Sequence, residues 1–358
     1  MTTSHSGHRA ARRKPCNDRP AAGKHALVSE EGRLRADPLL PAFALLDNFG
    51  VTPESVLAAC GLPTNALSDP ETILDYAAAC RFLQACAGLT ACEHFGLLVG
   101  MQGRPETVGI AGHLSMAAGD LGSALGALVR YLHLHDQGAV PHITLERGVA
   151  RLGYVISGFH PGGVAAAADT TLAIGLGILR ALLGKAWCPK EVWLPRRPPA
   201  DLQPWHELAR APVRLDAPFV AFLFDEADLR IRMAGSTGQE PVAQPLPELP
   251  LPVVVRRLAI ALLVTGRCSV GEAADQLDMH PRTLNRTLRA SGRTFRALAD
   301  DARFDFAPQL LLDTDMPIAR SASTLGYGDT STFTRRFVQR AGQPPAAWRA
   351  GSFPRQPS

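Results

Sequence analysis

The chain of 358 residues lacks any cysteine pair at CxxC spacing; its seven cysteines (Cys16, Cys60, Cys80, Cys86, Cys92, Cys188 and Cys268) are odd in number and scattered. That argues against a disulfide framework or a zinc site and for reduced thiols in a cytoplasm. No apolar run reaches the length and purity of a membrane span, so no membrane partner is expected. The N-terminal MTTSHSGHRAARRKPCNDRP is basic, but no apolar stretch follows its charges, and no secretory leader is expected either. Signatures of chemistry are missing too: no glycine-rich phosphate loop, no paired-carboxylate signature, no nucleophile elbow. MQGRPETVGIAG, from Met101 to Gly112, has loop glycines without the strand-to-helix context of a nucleotide site. No catalytic residue, metal or cofactor is therefore assigned, and the chain reads as a non-enzyme.

Lysine is absent from residues 253–358, where all 15 basic side chains are arginine against 9 acids, a net of +6. Residues 1–35 carry a net of +5 and residues 36–252 a net of −7. An acidic middle thus lies between a basic tail and an arginine-only end. Guanidinium forks suit phosphate oxygens and guanine edges better than ammonium groups do.

What is present divides the chain. Residues 1–37 have few large apolars and many Arg, Pro, Gly and Ser, the composition of a disordered tail. From 38 to 235, helical spacing of apolars occurs at Leu39 to Phe49, Tyr76 to Leu89 and Leu121 to Leu134. AVPHITLE and VARLGYVIS flank Arg147-Gly148 and predict a β-hairpin. Val164 to Leu183 is an Ala/Leu/Ile helix apolar enough to be mostly buried. Short strands are expected at EVWL, PVRL and FVAFLF, with a helix at Pro204 to Ala209 between the first two. This is the order of an α+β domain. Residues 236–252 form a proline-rich, extended linker. Residues 253–350 read as all-α, and 351–358 as a tail.

The all-α part holds one pattern twice. SVGEAADQL precedes DMHPRTLNRTLRASG, and PIARSASTL precedes GYGDTSTFTRRFVQRAG. Each opens with a short helix whose apolar positions are Val270, Ala273, Ala274 and Leu277, or Ile318, Ala322 and Leu325. A tight turn follows, then a second helix begun at His280-Pro281 or at Asp329. Leu284 and Leu288, or Phe333 and Phe337, make its i, i+4 apolar stripe. Outward lie Arg282, Asn285, Arg286 and Arg289 in one copy and Thr330, Ser331, Thr334 and Arg335 in the other. These are residue types that bond base edges and phosphates. Two tandem helix-turn-helix units are expected to read double-stranded DNA through Arg282, Asn285, Arg286, Thr330, Ser331, Thr334 and Arg335.

Residues 255–350 resemble the DNA-binding domain of AraC/XylS-type transcription regulators. The second unit carries the resemblance through Leu325, Gly326, Tyr327, Asp329, Ser331, Phe333, Arg335, Phe337, Gly342, Pro345, Trp348 and Arg349. The first unit matches at Arg282, Leu284, Arg286 and Leu288. Residues 38–235 resemble the arabinose-binding-like regulatory domain of one AraC-type subgroup through GLPTNALSDPE, HFGLLVG, GDLGSALGALVRYLHLHDQGA and APVRLDAPFVAFLFDEADL. The resemblance implies seven helices after the linker, with a long one joining the two readers. It also implies a cytoplasmic homodimeric activator that senses a small-molecule effector and contacts RNA polymerase. The sequence departs from the family pattern at His280 and Pro344, where Ser is usual, at Ser321, where isoleucine is usual, and at Pro308. A proline inside RALADDARFDFAPQLLLD is expected to kink or divide the joining helix near Phe306.

Other candidates are weaker. His133 and His135 are two apart, which on a helix points them to different faces, so no metal pair is expected. His94 and His113 stand alone. Cys80 and Cys86 read as small buried apolars, and Trp187, Trp193 and Trp205 as core plugs. An enzyme on the same reader, as in the adaptive DNA-repair alkyltransferases, would need a cysteine cluster and a Pro-Cys-His context; Cys188 has no adjacent histidine. A metabolite-sensing module acting only through protein partners remains the alternative, and the outward arginines argue against it.

Overall fold

The computed structural model describes residues 32–158, 160, 163–233 and 249–351. Most of the expected basic tail and of the proline-rich linker, and residues 352–358, lie outside them. The chain opens with β1 (Arg33–Arg35), a 3-10 turn at Asp37–Leu39, α1 (Pro41–Asn48) and α2 (Pro53–Cys60). Then come β2 (Ile73–Asp75), α3 (Tyr76–Leu89), α4 (Phe95–Gly100), α5 (Gly109–Ala117) and α6 (Leu121–Tyr131). The hairpin β3 (Ala139–Glu146) and β4 (Val149–Ile156) precedes α7 (Ala165–Leu183). β5 (Glu191–Trp193), α8 (Gln203–Ala209), β6 (Val213–Arg214) and β7 (Val220–Asp225) complete the first part.

One expectation about the tail is corrected. Arg33–Arg35 is a strand, paired antiparallel with Ile73–Asp75, and Leu34 is buried beneath it. Ordered structure therefore begins before residue 38.

The main sheet runs β3-β4-β7-β5-β6, antiparallel except for the β5–β6 pair. Arg147 and Gly148 turn its hairpin with φ of 52° and 79°. Two consecutive left-handed residues match the strand twist, and glycine takes the second without strain. Alternation along the strands separates two faces. Ala150, Ile156, Val220, Phe222 and Phe224 join the core that contains α7. Val140, Val155, Phe219 and Ala221 join a second core, with Val255, Ala259, Ile260 and Leu263. The sheet is covered on both sides.

By length and apolar composition α7 does reach what a membrane crossing requires, contrary to the expectation. Its Leu172, Leu176, Leu179 and Leu182 are buried against the protein core, and Asp169 sits among them fully enclosed. α4 crosses α7 closely because of two glycines. A Cβ on Gly96 would fall 2.2 Å from the Ala166 carbonyl oxygen, and one on Gly100 would fall 2.4 Å from that of Thr170.

The second part is all-helical: α9 (Leu251–Leu263), α10 (Val270–Gln276), α11 (Pro281–Ala290), α12 (Phe295–Asp313), α13 (Ile318–Thr324), α14 (Thr330–Ala341) and α15 (Pro345–Gly351). The first of these begins two residues inside the expected linker. α12 runs unbroken through Pro308, so the helix is not divided near Phe306. Pro308 is buried, as are Phe306, Ala307, Leu310 and Leu311 along the same stretch, and burial of this stretch offsets the hydrogen bond proline cannot donate.

Candidate nucleic-acid interface

The two helix-turn-helix units share a backbone device. In the first, the Met279 N–H reaches the Ala274 carbonyl at 2.9 Å and the Asp278 N–H that of Asp275 at 3.2 Å. In the second, Tyr327 reaches Ala322 at 3.0 Å and Gly326 reaches Ser323 at 3.0 Å. This is a Schellman end to the first helix, which needs one left-handed residue. Gly326 supplies it with φ of 73°, and Asp278 supplies it in the first copy with φ of 50°. Aspartate is among the few other residues that enter that region readily.

Caps then start the second helices. Asp329 Oδ1 accepts the Thr332 N–H at 2.7 Å and its other oxygen the Thr332 hydroxyl at 2.8 Å, which holds the carboxyl below its ordinary range. His280 caps as well, its Nδ1 accepting the Arg282 N–H at 3.2 Å. The departures from the family pattern are thus accommodated locally. Ser321, fully buried, returns its hydroxyl to the Pro317 carbonyl at 3.3 Å. Pro344 accepts the Trp348 N–H at 2.9 Å and so begins α15.

Anchoring is apolar. Leu284, Leu288, Phe333 and Phe337 are all buried. Phe337 meets Trp348 edge-on at 5.7 Å, and Phe333 meets Tyr327 at 5.4 Å. With those faces fixed, Arg282, Arg286, Thr330, Ser331 and Arg335 are exposed, while Asn285 and Thr334 are half-buried. Arg335 donates to Thr332 Oγ1 of its own helix at 3.3 Å.

The structure sorts the arginines, which the charge count did not. Arg293 and Arg340, one near each reading helix, converge on Asp301 of α12 at 2.7 and 2.6 Å. Arg256 pairs with Asp305. Arg303 donates to the Leu325 carbonyl at 3.1 Å, and Arg349 donates to those of Leu311 and Met316 at 3.2 and 2.7 Å. Arg257 reaches out of α9 to the carbonyls of Gln137 and Ala139 at 3.1 and 2.8 Å. The first five hold the helical part together, and Arg257 ties α9 to the sheet. Arg282, Arg286, Arg289, Arg335 and Arg336 form no salt bridge among the described residues and face solvent.

Cys80, Cys86 and Trp205 take structural places in the first part, while Trp187 and Trp193 are half-buried and not core plugs. Cys80 and Cys86 are buried, and burial drives both thiols up, Cys86 to about 12. Trp205 is enclosed, donating to Asp169 Oδ1 at 2.7 Å, with the Arg196 guanidinium 4.3 Å from its ring centre. His135 is buried and His133 half-buried, and no group of three or more metal-ligating side chains occurs among the described residues. Sequence reasoning missed His142 and His160, which burial holds neutral, each pushed down to about 4. A lone histidine in a strand or loop carries no pattern that marks it.

Residues 50–233 match the model of the arabinose-binding domain of AraC transcription regulators, N-terminal part, and residues 273–351 match a helix-turn-helix domain. The chain belongs to the AraC family. It is an HTH-type transcriptional regulator, in a family of DNA-binding regulators and not of enzymes. Two curated regulators align along nearly their whole length. The HTH-type transcriptional regulator VirS of Mycobacterium tuberculosis is 27% identical, over 88% of this chain and 96% of its own. The ornithine utilization regulator of Pseudomonas aeruginosa is 27% identical, over 87% and 96%. Among solved structures, the transcriptional regulator CdpR from Pseudomonas aeruginosa is 22% identical with a TM-score of 0.42, covering 88% of this chain and 98% of its own.

Proposed function

We propose that this regulator is an effector-controlled activator, acting as a cytoplasmic homodimer, that reads a promoter through α11 and α14. Arg282, Asn285 and Arg286 from one helix and Thr330, Ser331, Thr334 and Arg335 from the other make the base and phosphate contacts. The observation that carries the reading is the sorting of arginines. Those that bind protein lie between elements, and those on the outward faces form no salt bridge among the described residues. Guanidinium groups so placed are suited to guanine edges and phosphates in successive major grooves. The first part pairs the protomers and binds a small molecule, and the bound form contacts RNA polymerase beside the promoter. Selection from random duplexes, followed by titration at fixed salt, tests this. A recovered site with two half-elements on one face supports it. Failure to enrich any sequence sinks it and favours a module that acts through protein partners alone.

A further inference from the structure

Where the second face of the sheet meets the helical part, a cleft of about 300 Å³ opens. The sheet side contributes Arg151, Trp193, Arg214, Pro218 and Phe219; the helical side contributes Leu263 and Met316, with Arg320, Ser323 and Thr324 from α13. Three guanidinium groups line it and no carboxylate does. Arg151 and Arg214 bracket one indole, their guanidinium carbons 5.1 and 4.7 Å from the Trp193 ring centre. Thr144 Oγ1 holds the Nε of Arg151 at 3.1 Å. The nearest acid to Arg151 is Glu146, 3.7 Å away and mostly in solvent. Arg214 and Arg320 have no salt bridge among the described residues. The indole N–H of Trp193 is buried without a partner.

Like charges gathered beside an apolar face repel, and Glu146, a single exposed acid at Arg151, does not balance all three. An anion does. Guanidinium forks pair bidentately with planar carboxylates, and Trp193, Phe219, Leu263 and Met316 offer an apolar wall for the rest of the ligand. The volume falls at the small end of ligand sites. We infer that this cleft binds a small organic carboxylate with an apolar body, which bridges the sheet to the second helix-turn-helix unit. The inference rests on the effector-controlled reading above and gives the effector its chemical class. A bound carboxylate ties α13 to the sheet, and α13 packs on α14 through the Tyr327 turn. Ligand occupancy therefore sets where the second reading helix stands relative to the regulatory part.

The test uses the full chain with sodium benzoate, hexanoate and octanoate, with benzamide as the neutral match and inorganic phosphate as a plain anion. Thermal melting and tryptophan fluorescence are followed, alongside binding of a selected duplex. At least one carboxylate is expected to raise the melting temperature and change the fluorescence, while benzamide and phosphate do neither. Arg214→Gln and Arg320→Gln each weaken that carboxylate about tenfold or more, with ligand-free melting unchanged. Carboxylates that are all inert, phosphate acting as well as they do, or undiminished binding by both variants overturns the inference. Duplex binding separates the two ideas. If the protein binds a selected duplex but no carboxylate, only the cleft assignment fails; if it binds no duplex, the regulatory reading fails first.

Discussion

Asp313, in the last turn of α12, accepts the backbone N–H of Val164, the residue that caps α7, at 3.0 Å. One turn earlier Gln309 accepts the N–H of His160 at 2.9 Å, and its amide reaches back to Asp313. The helix that joins the two reading units thus also grips the regulatory part. Gly163 makes the approach possible: a Cβ there would lie 2.4 Å from Asp313 Oδ1, and its φ of 97° is closed to most other residues. Replacing Asp313 by alanine leaves a buried N–H without a partner and is expected to cost about 1–3 kcal/mol. Chemical denaturation measures the loss, and proteolysis should reach the junction faster. Unchanged stability would remove this contact from the account.

The same carboxyl gives a pH dependence with a definite sign. Burial pushes Asp313 up to about 7 from an ordinary 3.8, against the opposing pull of the Gln309 amide and the Val164 N–H. A raised acid favours its protonated form on folding. Its contribution is full below about 4 and fades as pH rises through about 7. His135, His142 and His160, depressed by burial to about 4, act oppositely: their contribution holds above 6.5 and fades as pH falls toward 4. Asp313→Asn should reduce the first limb, to which Asp37, Asp136 and Asp169, raised by burial as well, also contribute, and leave the second. Melting curves from pH 4 to 8, the span of these shifts, compare the two proteins.

His280 caps α11 through a ring nitrogen. His280→Ala should destabilise the helical part by about 0.5–2 kcal/mol, and His280→Ser should restore it. Duplex affinity is expected to follow the same order, because the cap sets the first turn that carries Arg282. An alanine variant as stable as the serine variant would deny the cap a role.

Arg286→Ala and Arg335→Ala should each weaken specific duplex binding by about 1–3 kcal/mol and relax preference at one base pair. Melting temperature should hardly move, since both side chains are exposed and neither forms a salt bridge among the described residues. Arg340→Ala, which leaves Asp301 with Arg293 alone, should lower stability first. Reversal of that ranking would mean the arginines have been sorted wrongly.

Gly96→Ala and Gly100→Ala should each cost about 1–3 kcal/mol by forcing α4 off α7. Both glycines lie in the HFGLLVG stretch that carried part of the family resemblance. Urea midpoints are the measurement, and a neutral alanine at both positions would show that the helices have room to move apart.

Much of the fold was legible where a local period exists. Tyr76–Leu89 forms as spaced, the Arg147-Gly148 hairpin turns as composed, and seven helices run from Leu251 to Gly351 as the resemblance implied. The outward faces of α11 and α14 were legible because Leu284, Leu288, Phe333 and Phe337 determine which side turns inward. β1 was not, since three residues of Arg-Leu-Arg have no period and gain their order from a partner forty residues away. Pro308 misled for a related reason: the local cost of proline is readable, but the packing that offsets it is not.

Sequence by itself determined the parts of this regulator: two reading helices, their caps and turns, an arginine-only charge, and a sheet with two apolar faces. Those properties depend on residues within a turn or a strand of each other, so short-range spacing encodes them. Tertiary structure alone decided which element covers the second face, which arginines bind protein, and that Arg151, Arg214 and Arg320 line one cleft with Trp193. Side chains more than a hundred residues apart meet only through packing, and an apolar face specifies that it must be covered without specifying by what.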